Sequence, residues 1–324
     1  MHTGTGPRIT VFAAALAATF GAAYGVGTGL APVVEEPAPA AHDEHGAPVP
    51  TAGGDDGHEG RKSAPAGGLQ ISEAGYTLDL DTSRVTAGRR TELSFTVRDD
   101  QGRAVTAYRR EHDKELHLIV AARDLGTYRH LHPARAADGT WSTPVDLPRA
   151  GGYRVFADFT PARRGAENLT LGADLAAAGP YAPRGLPAPD ATAETDGYDV
   201  RLTGALRPER ASELRLTVSR DGRPVTDLQP YLGAYGHLVA LRSGDLAYLH
   251  VHPNGAPGDG ATKPGPTVSF TATAPSAGAY RLFLDFRHAG KVRTAAFTVR
   301  AGQTHGAAPG PSAHTAEPDT GHGH

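Results

Sequence analysis

The sequence contains no cysteine, and its single methionine is Met1. Without a thiol there are no disulfides, no thiolate metal sites, no iron–sulfur clusters and no cysteine nucleophile. A blue-copper centre is excluded too, because it needs a cysteine and usually an axial methionine. A basic excess is missing: 32 Lys and Arg stand against 35 Asp and Glu, a net charge of -3. No cationic footprint for nucleic acid follows from that balance. G-x-S-x-G elbows, phosphate loops and H-E-x-x-H do not occur, so the chain reads as no enzyme. Gly (41) and Pro (26) are abundant, about a fifth of the 324 residues, which favours turns and short strands over long helices.

Charge is also lacking from Ile9 to Val34, a run long enough to cross the ~30 Å hydrocarbon core as a helix. Arg8 precedes it, and Glu35 and Glu36 follow it, which keeps the N-terminus inside. The expected layout is a short cytoplasmic N-terminus (1–8), a transmembrane anchor or signal segment (9–34) and a disordered tether (35–68). That places the protein in the cell membrane as a single-pass chain with its C-terminal part outside. Secretion after signal cleavage is the alternative. A second disordered tail spans 302–324. His42, His45 and His58 stand before the folded part, and His305, His314, His322 and His324 after it. Such tracts either drift without function or capture divalent ions loosely.

The middle of the chain is duplicated. "ELHLIVAARDLGTYRHLHP" (115–133) parallels "YGHLVALRSGDLAYLHVHP" (235–253), with His117, His130 and His132 mapping onto His237, His250 and His252 at an offset of 120. "GGYRVFADF" and "GAYRLFLDF" repeat at an offset of 127, pairing Tyr153 with Tyr280 and Asp158 with Asp285. Two copies of a period this long mean tandem domains, here 69–185 and 186–301. Alternation such as Leu93/Phe95/Val97 and Leu214/Leu216/Val218 has the period of half-buried strands, and each copy holds about seven such runs. The fold class is therefore all-β: two tandem immunoglobulin-like β-sandwich domains, with an N-terminal transmembrane helix and disordered tails. Tyr153 and Tyr280, each following a small-residue turn, are expected to tie that turn to the backbone as tyrosine corners.

On a strand, residues two apart share a face, so His130 and His132 point together, as do His250 and His252. A short hairpin with an odd register sum, 247 or 249, brings His117 onto the same face. Three imidazoles at that spacing can surround one ion with metal–nitrogen bonds of ~2.0–2.1 Å. The expectation is one triad per domain, with Asp158 and Asp285 as a fourth ligand or as acceptors that orient an imidazole. The plainer reading gives those aspartates an arginine partner and leaves the histidines as polar residues on a solvated sheet face. His112 and His288, which lack counterparts, read as ordinary surface residues. Sulfur-free imidazole sites suit Cu(II) or Zn(II).

These same stretches resemble a group of bacterial extracytoplasmic β-sandwich proteins, the YtkA-like and copper-resistance-associated domains. The resemblance implies an envelope location and a link to copper or other heavy metals, and it implies no catalytic residues. Two functions stand side by side. One is a membrane-tethered metal-binding protein that buffers or hands over Cu(II) or Zn(II) outside the cell. The other is a non-catalytic envelope module that presents its surface to a protein partner.

Overall fold

The computed structural model describes residues 66–249 and 251–302, and the expected anchor, tether and C-terminal tail lie outside them. Among the described residues no helix is long and apolar enough to cross a membrane. Strands alone build the fold, as two sandwich-like domains of immunoglobulin-like, all-β architecture.

In the first sandwich an outer sheet runs in the order Ser72–Glu73, Tyr76–Asp79, Thr91–Arg98, Thr140–Val145, Ala134–Arg135. The inner sheet runs Arg84–Thr86, Leu169–Ala178, Gly151–Pro161, Leu116–Ala122, Tyr128–Leu131. It is mixed, because Arg84–Thr86 pairs parallel to Leu169–Ala178. Alternate residues of the two sheets, among them Leu93, Phe95, Trp141, Leu118, Val155 and Leu171, fill the core between them. The second sandwich repeats this with Thr192–Thr195, Tyr198–Thr203, Ala211–Arg220, Thr267–Thr273 and Val251–Pro253 outside. Tyr248–Leu249, His237–Arg242, Gly278–His288 and Lys291–Ala301 form its inner sheet.

Both expected tyrosine corners are present. The Tyr153 hydroxyl donates to the Arg149 carbonyl and the Tyr280 hydroxyl to that of Ser276, each at 2.8 Å. Each anchors the start of the strand that carries an aspartate, Asp158 or Asp285, on its opposite face.

That opposite face is not solvated. Ile119, Ala121, Tyr128 and Phe156 of the first inner sheet pack against Val239, Leu241, Tyr248 and Phe283 of the second as a third apolar core. The duplication makes the contacts reciprocal: Tyr128 stacks on Phe283 at 4.1 Å between ring centres, and its counterpart Tyr248 meets Phe156 at 5.7 Å. Burying large side chains like these contributes roughly 1.5–3 kcal/mol each. The segment leading into the first sandwich ties the joint further. Gly68 N–H donates to the Thr170 carbonyl, while the Gly67 carbonyl accepts from Tyr248 N–H at 2.9 Å. Arg154 is buried beneath it and donates to the carbonyls of Gly68 and Leu69.

Candidate metal centre

The histidines sit at one end of this joint. The hairpin joining Leu116–Ala122 to Tyr128–Leu131 closes on Ala122 and Thr127 with four residues between them, which keeps an odd register sum: Ile119 lies opposite His130 and Leu118 opposite Leu131. Continued by one residue, that register (sum 249) sets His132 across from His117. On the other side of His117 lies Asp158, its strand partner. All three histidines therefore share the face turned toward the second sandwich, with ring centres of His117 at 5.4 Å from His130 and 5.3 Å from His132.

The other sandwich adds a fourth ring to this group. His237 stacks on His117 at 5.4 Å and lies 4.6 Å from His130. One ring nitrogen from each of His117, His130 and His237 falls within 4.8 Å of the others. The histidines thus gather differently from one triad per domain, and the physical reason is the buried joint: two faces expected to meet solvent meet each other. The second copy also leaves its inner sheet sooner. After Leu249 the chain crosses over, and Val251–Pro253 pairs with the outer strand Thr267–Thr273. His252 is consequently exposed opposite Thr271, away from His237, and His250 lies outside the described residues.

Hydrogen-bond partners fix the tautomers. His117 Nε2 lies 3.1 Å from the Glu111 carbonyl, which can only accept, so that nitrogen carries the proton. His130 Nδ1 lies 2.8 Å from Asp285 Oδ2. Asp285 also accepts from the Thr294 and Tyr128 hydroxyls, as an ionised carboxylate does, so His130 is protonated at Nδ1. The remaining nitrogens, His117 Nδ1 and His130 Nε2, face each other at 3.2 Å, close enough for His130 to donate a proton to His117 or for the two to share one cation. With metal–nitrogen bonds of ~2.05 Å, a 3.2 Å separation subtends about 103° at the ion, close to the tetrahedral angle. His237 Nδ1 and His132 Nε2 are buried beside this pair without a hydrogen-bond partner among the described residues.

Burial, reinforced by the neighbouring His130, lowers the pKa of His117 to about 3. Burial, with His130 and His117 beside it, lowers that of His132 to about 3 as well. His237 is pushed well below the ordinary imidazole value, again mainly by burial. At neutral pH these three rings are uncharged, each with one N–H and one lone-pair nitrogen, the form in which imidazole binds metal.

Asp285 has His130, Thr294 and Tyr128 as hydrogen-bond partners. Asp285 orients His130 across the joint, the role of an acceptor behind a metal-binding imidazole. Asp158 accepts from the hydroxyls of Thr170 and, at 3.5 Å, Tyr248 of the other sandwich. His112 and His288, expected at the surface, are half-buried. His112 packs edge-on against His117 and His237, with ring centres 6.1 and 5.8 Å away. His288 is held between the Tyr198 hydroxyl and Asp227. Tyr231, which the sequence reading passed over, lies 6.5 Å from His130 and 6.2 Å from His132, its hydroxyl raised to about 12 by burial. Its place at offset 120 from Glu111 was the only signal for it.

A family model described as a domain of unknown function, DUF8832, matches the chain twice, over residues 71–169 and 193–303. The chain belongs to the DUF8832 family. The two matches correspond to the two copies, so the family unit is the single sandwich and this chain is a DUF8832 tandem. No curated protein matches. Among solved structures, the DUF8832 pair is similar to the Escherichia coli adhesin FdeC (17% identity, 70% of this chain and 65% of that one, TM-score 0.22). It is also similar to InvD of Yersinia pseudotuberculosis (15%, 74% and 62%, 0.23) and to invasin, a bacterial integrin-binding protein (14%, 72% and 40%, 0.20). The chain spans less than two thirds of the length of each, and likenesses this low carry no argument about what it does.

Proposed function

We propose that this chain is an extracytoplasmic, membrane-tethered metal-binding protein that holds a divalent ion between its two sandwiches. His117, His130 and His237 are the ligands, with His132 completing the set, and Cu(II) or Zn(II) is the ion, for buffering or handover. The observation that carries this reading is the convergence of one ring nitrogen from each of His117, His130 and His237 within 4.8 Å of one another, with acceptors on the far side of the His117 and His130 rings turning those nitrogens inward. Neutral, sulfur-free imidazoles favour Cu(II) or Zn(II). The charge-free run Ile9–Val34 supports the tether.

Co(II) tests this as a spectroscopic stand-in for Zn(II). In tetrahedral imidazole sites it absorbs intensely in the visible, whereas ions held loosely by the histidine-bearing tails stay six-coordinate and pale. The full chain should develop the intense band, and His130→Ala should abolish it while the protein stays folded. A folded wild-type chain without the band would end the proposal.

A further inference from the structure

The centre is covered by two turns that the duplication relates residue for residue. Glu111 and Lys114 close one by reciprocal backbone hydrogen bonds of 2.8 and 3.0 Å. Tyr231 and Ala234, at offset 120, close the other at 2.8 and 3.3 Å. The central residues of both are left-handed: His112 (φ 49°) and Asp113 (φ 64°) in the first, Leu232 (55°) and Gly233 (72°) in the second. The turns meet over the site, where a Cβ on Gly233 would lie 3.7 Å from His112 Cα.

Geometry is shared and chemistry is not. The first turn reads Glu-His-Asp-Lys-Glu from 111 to 115, and the second Tyr-Leu-Gly-Ala-Tyr from 231 to 235. Leu232 shows that this backbone has no need of an imidazole where His112 stands. The His112 ring is half-buried, touches His117 and His237, and has no hydrogen bond among the described residues. It lines a cavity of about 20 Å³ together with Glu111, Lys114, His117, Asp158 and His237. That is room for a single water or ion.

We propose that the Glu111–Lys114 turn is the port through which the centre is loaded, and that His112 is its exchange ligand. The inference rests on the metal-site reading above. A hydrated divalent cation arriving from solvent first trades a water for His112, the one imidazole carried by the two covering turns. It then moves to His117 and His237, whose ring centres are 6.1 and 5.8 Å away, without returning to bulk water. His112 acts only on the path, so it alters how fast the ion enters and leaves and not how tightly it is held.

The test is stopped-flow mixing of the full chain with Co(II) alone, followed in the visible band, and chase of the loaded chain with excess Zn(II). His112→Leu installs the residue that the second turn carries, and Asp113→Gly does the same one position on while keeping the imidazole. In His112→Leu, association and dissociation should both slow by about tenfold, with half-saturation unchanged within twofold. Asp113→Gly should keep wild-type rates. Unchanged rates in His112→Leu would overturn the port, as would slowing in Asp113→Gly. Weakened half-saturation at wild-type association rate would make His112 a resident ligand and overturn it too. A missing band in the wild type would instead remove the metal site itself.

Discussion

Replacing Asp285 by asparagine separates a metal centre from a buried salt bridge. Asp285 is 2% exposed at its side chain and holds His130 Nδ1 at 2.8 Å. Asparagine has the same shape and can turn its amide oxygen to Nδ1, where it accepts as a neutral, weaker partner. The metal-free protein exchanges a charge-assisted hydrogen bond for a neutral one, so its stability should fall by no more than ~1 kcal/mol. The metal-bound protein loses the carboxylate charge that strengthens His130 as a ligand. Mutating the acceptor behind a metal-binding histidine costs about 10–100-fold in affinity, or ~1.4–2.7 kcal/mol. Competition titration against a chromophoric chelator reads the affinity, and urea denaturation of the metal-free chain reads the stability. Were the pair simply a buried ion pair, breaking it would destabilise the metal-free fold by ~3–5 kcal/mol and leave metal affinity untouched. That result would refute a metal-orienting role for Asp285.

Acid should weaken the metal-free fold. His117 has its folded pKa lowered from 6.5 to about 3 by burial, so between these values the unfolded chain binds a proton that the folded chain refuses. Stability is therefore complete above pH ~6.5 and falls by up to ~1.4 kcal/mol per pH unit below it, measurable as a declining Tm that His117→Ala flattens. His132, also lowered to about 3, adds a comparable share in the same pH range. A Tm independent of pH from 7 to 5 would contradict the burial of these rings. Gly68→Ala would set a methyl 2.4 Å from Phe156 at a φ of +74°, forcing the stapling segment off the joint. It should cost about 1–3 kcal/mol in urea denaturation, and a neutral outcome would mean that the segment does not hold the joint. Tyr153→Phe and Tyr280→Phe should each lose ~1 kcal/mol in the same assay, since each deletes one corner hydrogen bond to a backbone carbonyl.

Much of this was legible in the sequence because it is local. Strand alternation, the two tyrosine corners and the odd register that aligns His117 with His130 and His132 all follow from short-range patterns and turn chemistry. The joint was not legible for a specific reason. Ile119, Phe156, Val239 and Phe283 alternate with core residues on strands that are apolar on both faces, and such a run does not say what covers its second face. Once the second face is known to meet its own duplicate, His237 necessarily comes beside His117. The early sheet switch after Leu249, which takes His252 to the outer sheet, left no mark either, since "HLHP" and "HVHP" look alike. His112 lacks a counterpart in the repeat, and only the joint sets its ring beside His117 and His237.

The measurement that tests the central claim most directly is the stoichiometry of the intensely coloured Co(II) site in the full chain, beside His117→Ala and His237→Ala. Those residues belong to different sandwiches. A shared centre predicts one such ion per chain, lost in either variant. Two ions per chain, with each variant removing only its own, would contradict a centre built between the domains.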